Sequence, residues 1–283
     1  MSDVVRRAEF HFDGGRGRLF GRRWEGPTPR REVVLIHGYG EHSGRYEHVG
    51  GFLAARGARV HAYDHQGHGR SSGLRCHVRR FGDFLDDLDR VVGRARDASQ
   101  GRPVFVIGHS MGGLIACAWA REREPEVAGL VVSAPALAAP AGPSPALLRL
   151  LPLLSRIAPR LSLASELDPQ GLSRDPAVVE AYLADPFVHL RMTLSLAREV
   201  FAAMRRTAGG GGDLALPALM LHGADDPICS PEASRRFAEA APDCRYRSYP
   251  RLRHEIFNEP EREAVLADVQ SWLEERETSR ETE

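Results

Sequence analysis

Residues 108–113 read Gly-His-Ser-Met-Gly-Gly, between a continuously apolar run at 104–107 and a helix-forming stretch from Leu114. No other feature restricts the fold as sharply. A strand that turns at once into a helix leaves no room for side chains two positions either side of the turn residue, and Gly108 and Gly112 stand there. Such a turn lifts a hydroxyl at its tip clear of the sheet. The free N–H groups of the following helix point at the same place. Ser110 is therefore the candidate nucleophile, and the apolar strand before it implies a sheet buried on both faces.

The rest of the chain fits such a sheet. Short strand-like runs at 19–24, 32–36, 59–63, 104–107 and 130–132 alternate with helical patterns. Over residues 81–95, Phe84, Leu85, Leu88, Val91 and Val92 share one helical face. The 114–123 stretch is also helical. This alternation predicts a mostly parallel sheet with helices on both sides. It stops at Ala134. Residues 135–212 hold many prolines and Leu-rich helical stretches without a convincing strand, and end in four glycines at 209–212 that read as a flexible joint. Strands then return at 218–221 and 245–249, with helices at 232–240 and 260–275. The tail from Glu274 is charged and expected to fray. The organisation is thus a core in two parts, 1–134 and 213–283, interrupted by a helical insertion at 135–212.

A serine hydroxyl needs a base. His254, after the 245–249 strand, is the only histidine beyond His222, which reads as a strand end. An acid should follow the preceding strand, and Asp225 and Asp226 both do. Consecutive side chains of an extended segment point to opposite sides, so only one can face the base. Pro227 biases Asp226 toward an extended backbone without deciding between them.

Composition narrows the function further. The chain has 283 residues, with 38 basic side chains balancing 38 acidic ones. Nucleic-acid binding through net positive charge is disfavoured. The polar start, Met1 to Arg7, lacks the apolar core of a secretory signal. The most apolar stretch, 147–164, is broken by Pro152, Pro159, Arg149, Arg156 and Arg160, which rules it out as a membrane span. Four cysteines without metal-ligand spacing point to reduced thiols in a cytoplasmic protein. His61, Asp64, His65 and His68 are close in sequence but read as a strand end and a turn rather than a metal site.

Together these residues resemble the monoacylglycerol lipase and lysophospholipase branch of the α/β-hydrolases. The resemblance is carried by His37-Gly38-Tyr39-Gly40-Glu41-His42-Ser43-Gly44-Arg45-Tyr46 and by Tyr63-Asp64-His65-Gln66-Gly67-His68-Gly69-Arg70-Ser71. It continues through the Ser110 turn, Leu172-Ser173-Arg174-Asp175-Pro176, His222-Gly223-Ala224-Asp225-Asp226 and His254-Glu255. It implies an α/β-hydrolase fold with a mostly parallel sheet and an α-helical cap inserted after the sixth strand. It implies a Ser110–His254–Asp226 triad, since the family's acid lies three residues after the glycine equivalent to Gly223. The backbone N–H groups of Tyr39 and Met111 become the oxyanion hole. Glu41, Arg45 and Tyr182 resemble residues around the glycerol end of the substrate. Glu41 and Arg45 read equally well as a salt bridge shaping the loop, and Tyr182 as a packing residue. Cys229 matches a cysteine of some relatives and reads as a small semi-buried residue. The reaction implied is hydrolysis of monoacylglycerol-like lipid esters, with no metal or organic cofactor. Lysophospholipids, thioesters and short esters are alternative substrates for the same triad. Of the eight leucines between 147 and 163, some are expected to pack the cap onto the core, and a surplus to line an acyl-chain tunnel or, transiently, touch a membrane surface.

Overall fold

The computed structural model describes residues 5–140, 144–165 and 167–281. The polar start at 1–4 and the last two residues of the charged tail lie outside them. The first part of the chain forms β1 (Arg6–Gly14), β2 (Gly17–Glu25), β3 (Arg31–Ile36), α1 (Glu47–Ala54), β4 (Ala58–Tyr63), α2 (Gly82–Ser99), β5 (Val104–His109), α3 (Met111–Arg123) and β6 (Gly129–Ser133). Then follow α4 (Pro145–Ile157), β7 (Ser162–Ala164), α5 (Pro176–Ala184), β8 (Arg191–Thr193) and α6 (Leu194–Thr207). The chain closes with β9 (Ala218–Gly223), α7 (Pro231–Ala240), β10 (Cys244–Tyr249) and α8 (Arg262–Glu281).

The main sheet has the order β1-β2-β4-β3-β5-β6-β9-β10. From β4 to β10 every pair is parallel, and β1 and β2 close one edge as an antiparallel hairpin. Strand alternation explains the layers. Val34 and Ile36, Val106, Val132 and Met220 enter one buried cluster with side chains of α2, α3, α6 and α7. Their neighbours Val33, Leu35, Ile107, Val131 and Leu219 enter a second cluster with α1 and α8 on the opposite face. The five apolar residues expected on one face of α2 are all buried, each worth about 1.5–3 kcal/mol on removal from water. The parallel strands end on one edge of the sheet. The loops after β3, β5, β9 and β10 therefore gather there, where open α/β sheets carry their sites.

Three elements were not legible. β1 is charged, half-exposed and paired only through β2. α1 contains two glycines; a Cβ on Gly50 would lie 2.5 Å from Trp24, so glycine lets this helix sit directly on the sheet. Residues 135–212, where no strand was expected, hold the β7–β8 ladder, whose three residue pairs join segments far apart in sequence. α4 also runs straight through Pro152.

The insertion is anchored as well as helical. Leu196, Val200 and Ala203 of α6 belong to the same buried cluster as α2 and α3. Of the glycines at 209–212, Gly210 and Gly211 are buried and closely packed, while Gly209 and Gly212 are exposed. A Cβ on Gly210 would lie 2.0 Å from the Arg121 guanidinium, and one on Gly211 would lie 2.1 Å from the Phe237 carbonyl oxygen. The tail expected to fray is helical as far as Glu281. Among the described residues no helix is long and apolar enough to cross a membrane.

Candidate active site

Ser110 occupies the single residue between β5 and α3, at φ 54 and ψ −116. This left-handed conformation is strained for a residue with a side chain. The surroundings enforce it: a Cβ on Gly108 would lie 2.5 Å from the Gly112 carbonyl oxygen, and one on Gly112 would lie 2.4 Å from that of Ile36. The Ser110 N–H donates to the Ser133 carbonyl at 2.9 Å, tying the turn to β6. Met111 opens α3, so its N–H has no acceptor four residues back and is free to point into the site.

The two aspartates after β9 part company. Asp225 is exposed. Asp226 is buried, and its carboxylate accepts four N–H groups. Oδ2 takes His254 Nδ1–H at 2.7 Å and His222 Nε2–H at 2.8 Å. Oδ1 takes the backbone N–H of Ile228 at 2.8 Å and of Cys229 at 3.0 Å. Burial works to raise the pKa of this carboxyl. The charge of His254 and the hydrogen bonds of both histidines outweigh it and hold the group below its ordinary range.

His254 is buried in the loop after β10. Burial lowers its pKa, but the charge and hydrogen bond of Asp226 dominate, with Glu255 and Glu41 adding to them, and the imidazole is raised above the ordinary histidine value. The backbone N–H groups of His254 and Glu255 donate to Gly171 and Leu172 at 3.3 and 2.8 Å, so the insertion itself holds this loop. His109, the neighbour of Ser110, lays its ring 4.8 Å from that of His254. Burial, and then the proximity of His254, push its pKa down to about 3, so His109 stays neutral beside the raised base.

The Cys229 thiol lies near enough to the Ser110 hydroxyl to feel it, and the Cys229 backbone N–H is held by Asp226 at 3.0 Å. Burial and the Asp226 charge push that thiol well above its usual pKa, so Cys229 is a protonated neighbour and not a second nucleophile.

The loop after β3 completes the floor. A Cβ on Gly38 would lie 3.2 Å from Ser110 Cβ, so the chain passes directly beside the serine. The Gly38 N–H is fixed by Glu41 Oε1 at 2.6 Å, and the Gly40 carbonyl by the His189 N–H at 2.7 Å. Tyr39 lies between these two clamps.

Glu41 and Arg45 are paired with each other. Arg45 donates to Glu41 Oε2 at 2.7 Å, and in a two-pronged pair to Glu255 at 2.5 and 2.8 Å. Glu41 Oε1 also accepts the Tyr46 hydroxyl at 2.7 Å. This salt bridge joins the β3 loop to the His254 loop. Tyr182 is buried with its ring 4.7 Å from the Arg45 guanidinium and its hydroxyl directed toward Gly40.

Sequence reasoning missed His222, Glu255 and the contact of His42 Nε2 with Asp185 Oδ2 at 2.8 Å, which links this loop to the insertion. The spacing of His222 four residues before Asp226 was a usable signal. The partners of Glu255 and His42 lie 210 and 143 residues away and left none. Within the 61–68 stretch His61 and Asp64 take separate partners, while the rings of His65 and His68 lie 5.9 Å apart and both neighbour His37. His61 pairs with Glu32 at 2.7 Å, Asp64 holds the Ser43 and Arg70 N–H groups at 2.8 Å, and His65 stacks on His37.

This geometry has counterparts among known proteins. A family described as serine aminopeptidase, S33, matches residues 27–261. The monoacylglycerol lipase of Mycolicibacterium smegmatis is 40% identical over 272 residues, covering 94% of this chain and 97% of that one. The human monoglyceride lipase is 33% identical over 265 residues, covering 91% and 87%. The crystal structure of the Paleococcus ferrophilus monoacylglycerol lipase superposes with a TM-score of 0.82 at 36% identity, covering 96% and 99%. An elbow serine on an α/β sheet and these relatives along nearly the whole chain lead to one conclusion: the chain belongs to this S33 family of the α/β-hydrolase superfamily and is a serine hydrolase.

Proposed function

We propose that the protein hydrolyses monoacylglycerols to glycerol and a fatty acid through an acyl-enzyme on Ser110. The observation that carries this reading is the 2.7 Å hydrogen bond from His254 Nδ1 to Asp226, beside the strained serine. In this scheme the Ser110 hydroxyl turns toward His254 Nε2 and gives it a proton while Oγ bonds to the ester carbonyl carbon. Catalytic hydrogen bonds of this kind tighten when substrate is in place. The carbonyl oxygen becomes an oxyanion and accepts the N–H groups of Tyr39 and Met111. Asp226 stabilises the imidazolium, which protonates the glycerol oxygen as the ester C–O bond breaks. Water then gives a proton to His254 and bonds to the acyl carbon. The bond to Oγ breaks, and the proton returns to Ser110 as the fatty acid leaves. Every proton moves between the chain, the substrate and water, so the scheme calls for no cofactor.

Residues 135–212 act as a cap between core parts 1–134 and 213–283. Tyr182 is the contact proposed for the glycerol end, while Glu41 and Arg45 shape the loop. The leucines of α4 support contact with lipid. Leu153 is 56% exposed and Ile157 is 74% exposed, far from the burial a packing role requires. The protein is then a cytoplasmic enzyme that meets lipid surfaces peripherally.

A hydrolysis panel tests the substrate. The expected order of kcat/KM places monooleoylglycerol above lysophosphatidylcholine, acyl thioesters and nitrophenyl acetate. Each methylene buried is worth up to about 0.8 kcal/mol, so activity should rise with acyl length. Faster turnover of a lysophospholipid or thioester would move the reading to that class. Release of N-terminal residues from peptides without ester hydrolysis would overturn it.

A further inference from the structure

The exposed apolar face of α4 ends at Ile157, and Arg160 follows three residues later. Residues 144–165 carry Arg149, Arg156 and Arg160 and no acidic side chain, in a chain whose charges balance overall. Arg160 borders a cavity of about 380 Å³ at the junction with the core, together with Arg16, His77, Arg79 and the exposed Leu74.

The start of α6 builds this cavity from both sides. The Thr193 and Ser195 hydroxyls donate to the Cys76 and Val78 carbonyls at 2.9 and 2.6 Å, fixing the wall that holds His77. The N–H groups of Leu194 and Ser195 donate to the Leu161 and Pro159 carbonyls at 2.9 and 3.2 Å, fixing the two neighbours of Arg160. Burial and then the charges of Arg160 and Arg79 oppose protonation of His77, as two guanidiniums facing one ring would. Arg16 is paired with Asp83 at 2.7 Å, and Asp83 is further held by Arg80 at 3.0 Å. Among the described residues, Arg79 and Arg160 have no acidic partner.

We propose that this cavity takes the phosphate headgroup of an anionic phospholipid, so that the protein docks on negatively charged lipid surfaces with the leucines of α4 entering the acyl region. Guanidinium pairs match phosphate oxygens two at a time. A free phosphate or a nucleic acid would satisfy the arginines but leave the adjoining leucines in water. A charged lipid surface satisfies both. The proposal rests on the lipid-surface reading of the cap and is independent of the catalytic scheme.

Vesicle co-sedimentation of the full-length Ser110→Ala protein tests it, with phosphatidylcholine vesicles compared with vesicles also containing phosphatidylglycerol. The anionic vesicles should bind more tightly, and added salt should weaken that binding. Arg79→Gln and Arg160→Gln should each weaken binding to anionic vesicles about fivefold, and together roughly twentyfold. Arg236→Gln, on the remote α7, should leave binding unchanged. Leu153→Ser with Ile157→Ser should weaken binding to both vesicle types. Circular dichroism confirms that each variant is folded. Equal affinity for the two vesicle types would overturn the proposal, as would a loss at Arg236 equal to that at Arg160 or full binding by the serine variant. Absence of binding to any vesicle, while native protein still hydrolyses detergent-dispersed monooleoylglycerol, would overturn the docking and leave the hydrolase reading intact.

Discussion

His254 and Glu255 are consecutive residues that serve two different buried charge systems. His254 turns to Asp226, in the loop after the adjacent strand, at 2.7 Å. Glu255 turns the other way to Arg45, 210 residues distant, and through it to Glu41 and the Gly38 backbone. The first system has one raised base and one depressed acid, the pairing expected when a carboxylate stabilises a protonated imidazole without taking its proton. In the second, burial would raise the Glu255 pKa, but the Arg45 charge holds it low, so it remains a fixed ion pair. In the proposed scheme the first system carries the chemistry, and the second is a bracket that ties the His254 loop to the loop of Tyr39 and so sets the spacing between them.

The comparison can be broken by mutation. Ser110→Ala should lower kcat about a millionfold while leaving the bracket and the unfolding midpoint in place; residual turnover close to native would place the nucleophile elsewhere. Asp226→Asn should lower kcat about ten-thousandfold. Catalysis needs neutral His254, and Asp226 raises the pKa of that imidazole. Native activity should therefore fall on the acid side at a pH above the ordinary histidine value. Loss of the Asp226 charge should move that limb to lower pH, and an unmoved limb would separate the two residues.

Arg45→Met tests the second system. It strands Glu41 and Glu255 as buried charges and should cost about 3–5 kcal/mol in urea unfolding, part of which Glu255→Gln in the same chain should restore. A variant of native stability with only a raised KM would return Arg45 to the role of head-group contact. Asp225→Ala should change stability by less than about 0.5 kcal/mol and leave kcat unaltered. A kinetic loss there as large as at Asp226 would erase the distinction between the neighbouring acids.

The same contrast explains what could be read before the fold was known. The serine turn is specified within six residues, because its glycines and flanking apolar strand are local. Asp226 follows the continuously buried β9 and His254 follows β10, whose polar and aromatic residues alternate, and only the family resemblance selected Asp226 over Asp225. The bracket left no such trace. Arg45 was seen as a charged loop residue, and only the folded chain brings Glu255 to it. β1 and the β7–β8 ladder were missed for a related reason. They are edge or isolated pairings whose partners are non-local and whose faces are half wet. The glycines at 209–212 misled in the opposite sense. In a run that signals flexibility in isolation, the two central glycines are here closely packed against Arg121 and Phe237.

The central claim is that Ser110 is a nucleophile because His254 is its base. Treatment with a fluorophosphonate followed by peptide mapping tests it most directly. The expected result is one label per chain, on Ser110, in the native protein, and none within the same time in folded His254→Ala. A label on a different serine, or undiminished labelling of Ser110 without His254, would contradict the account.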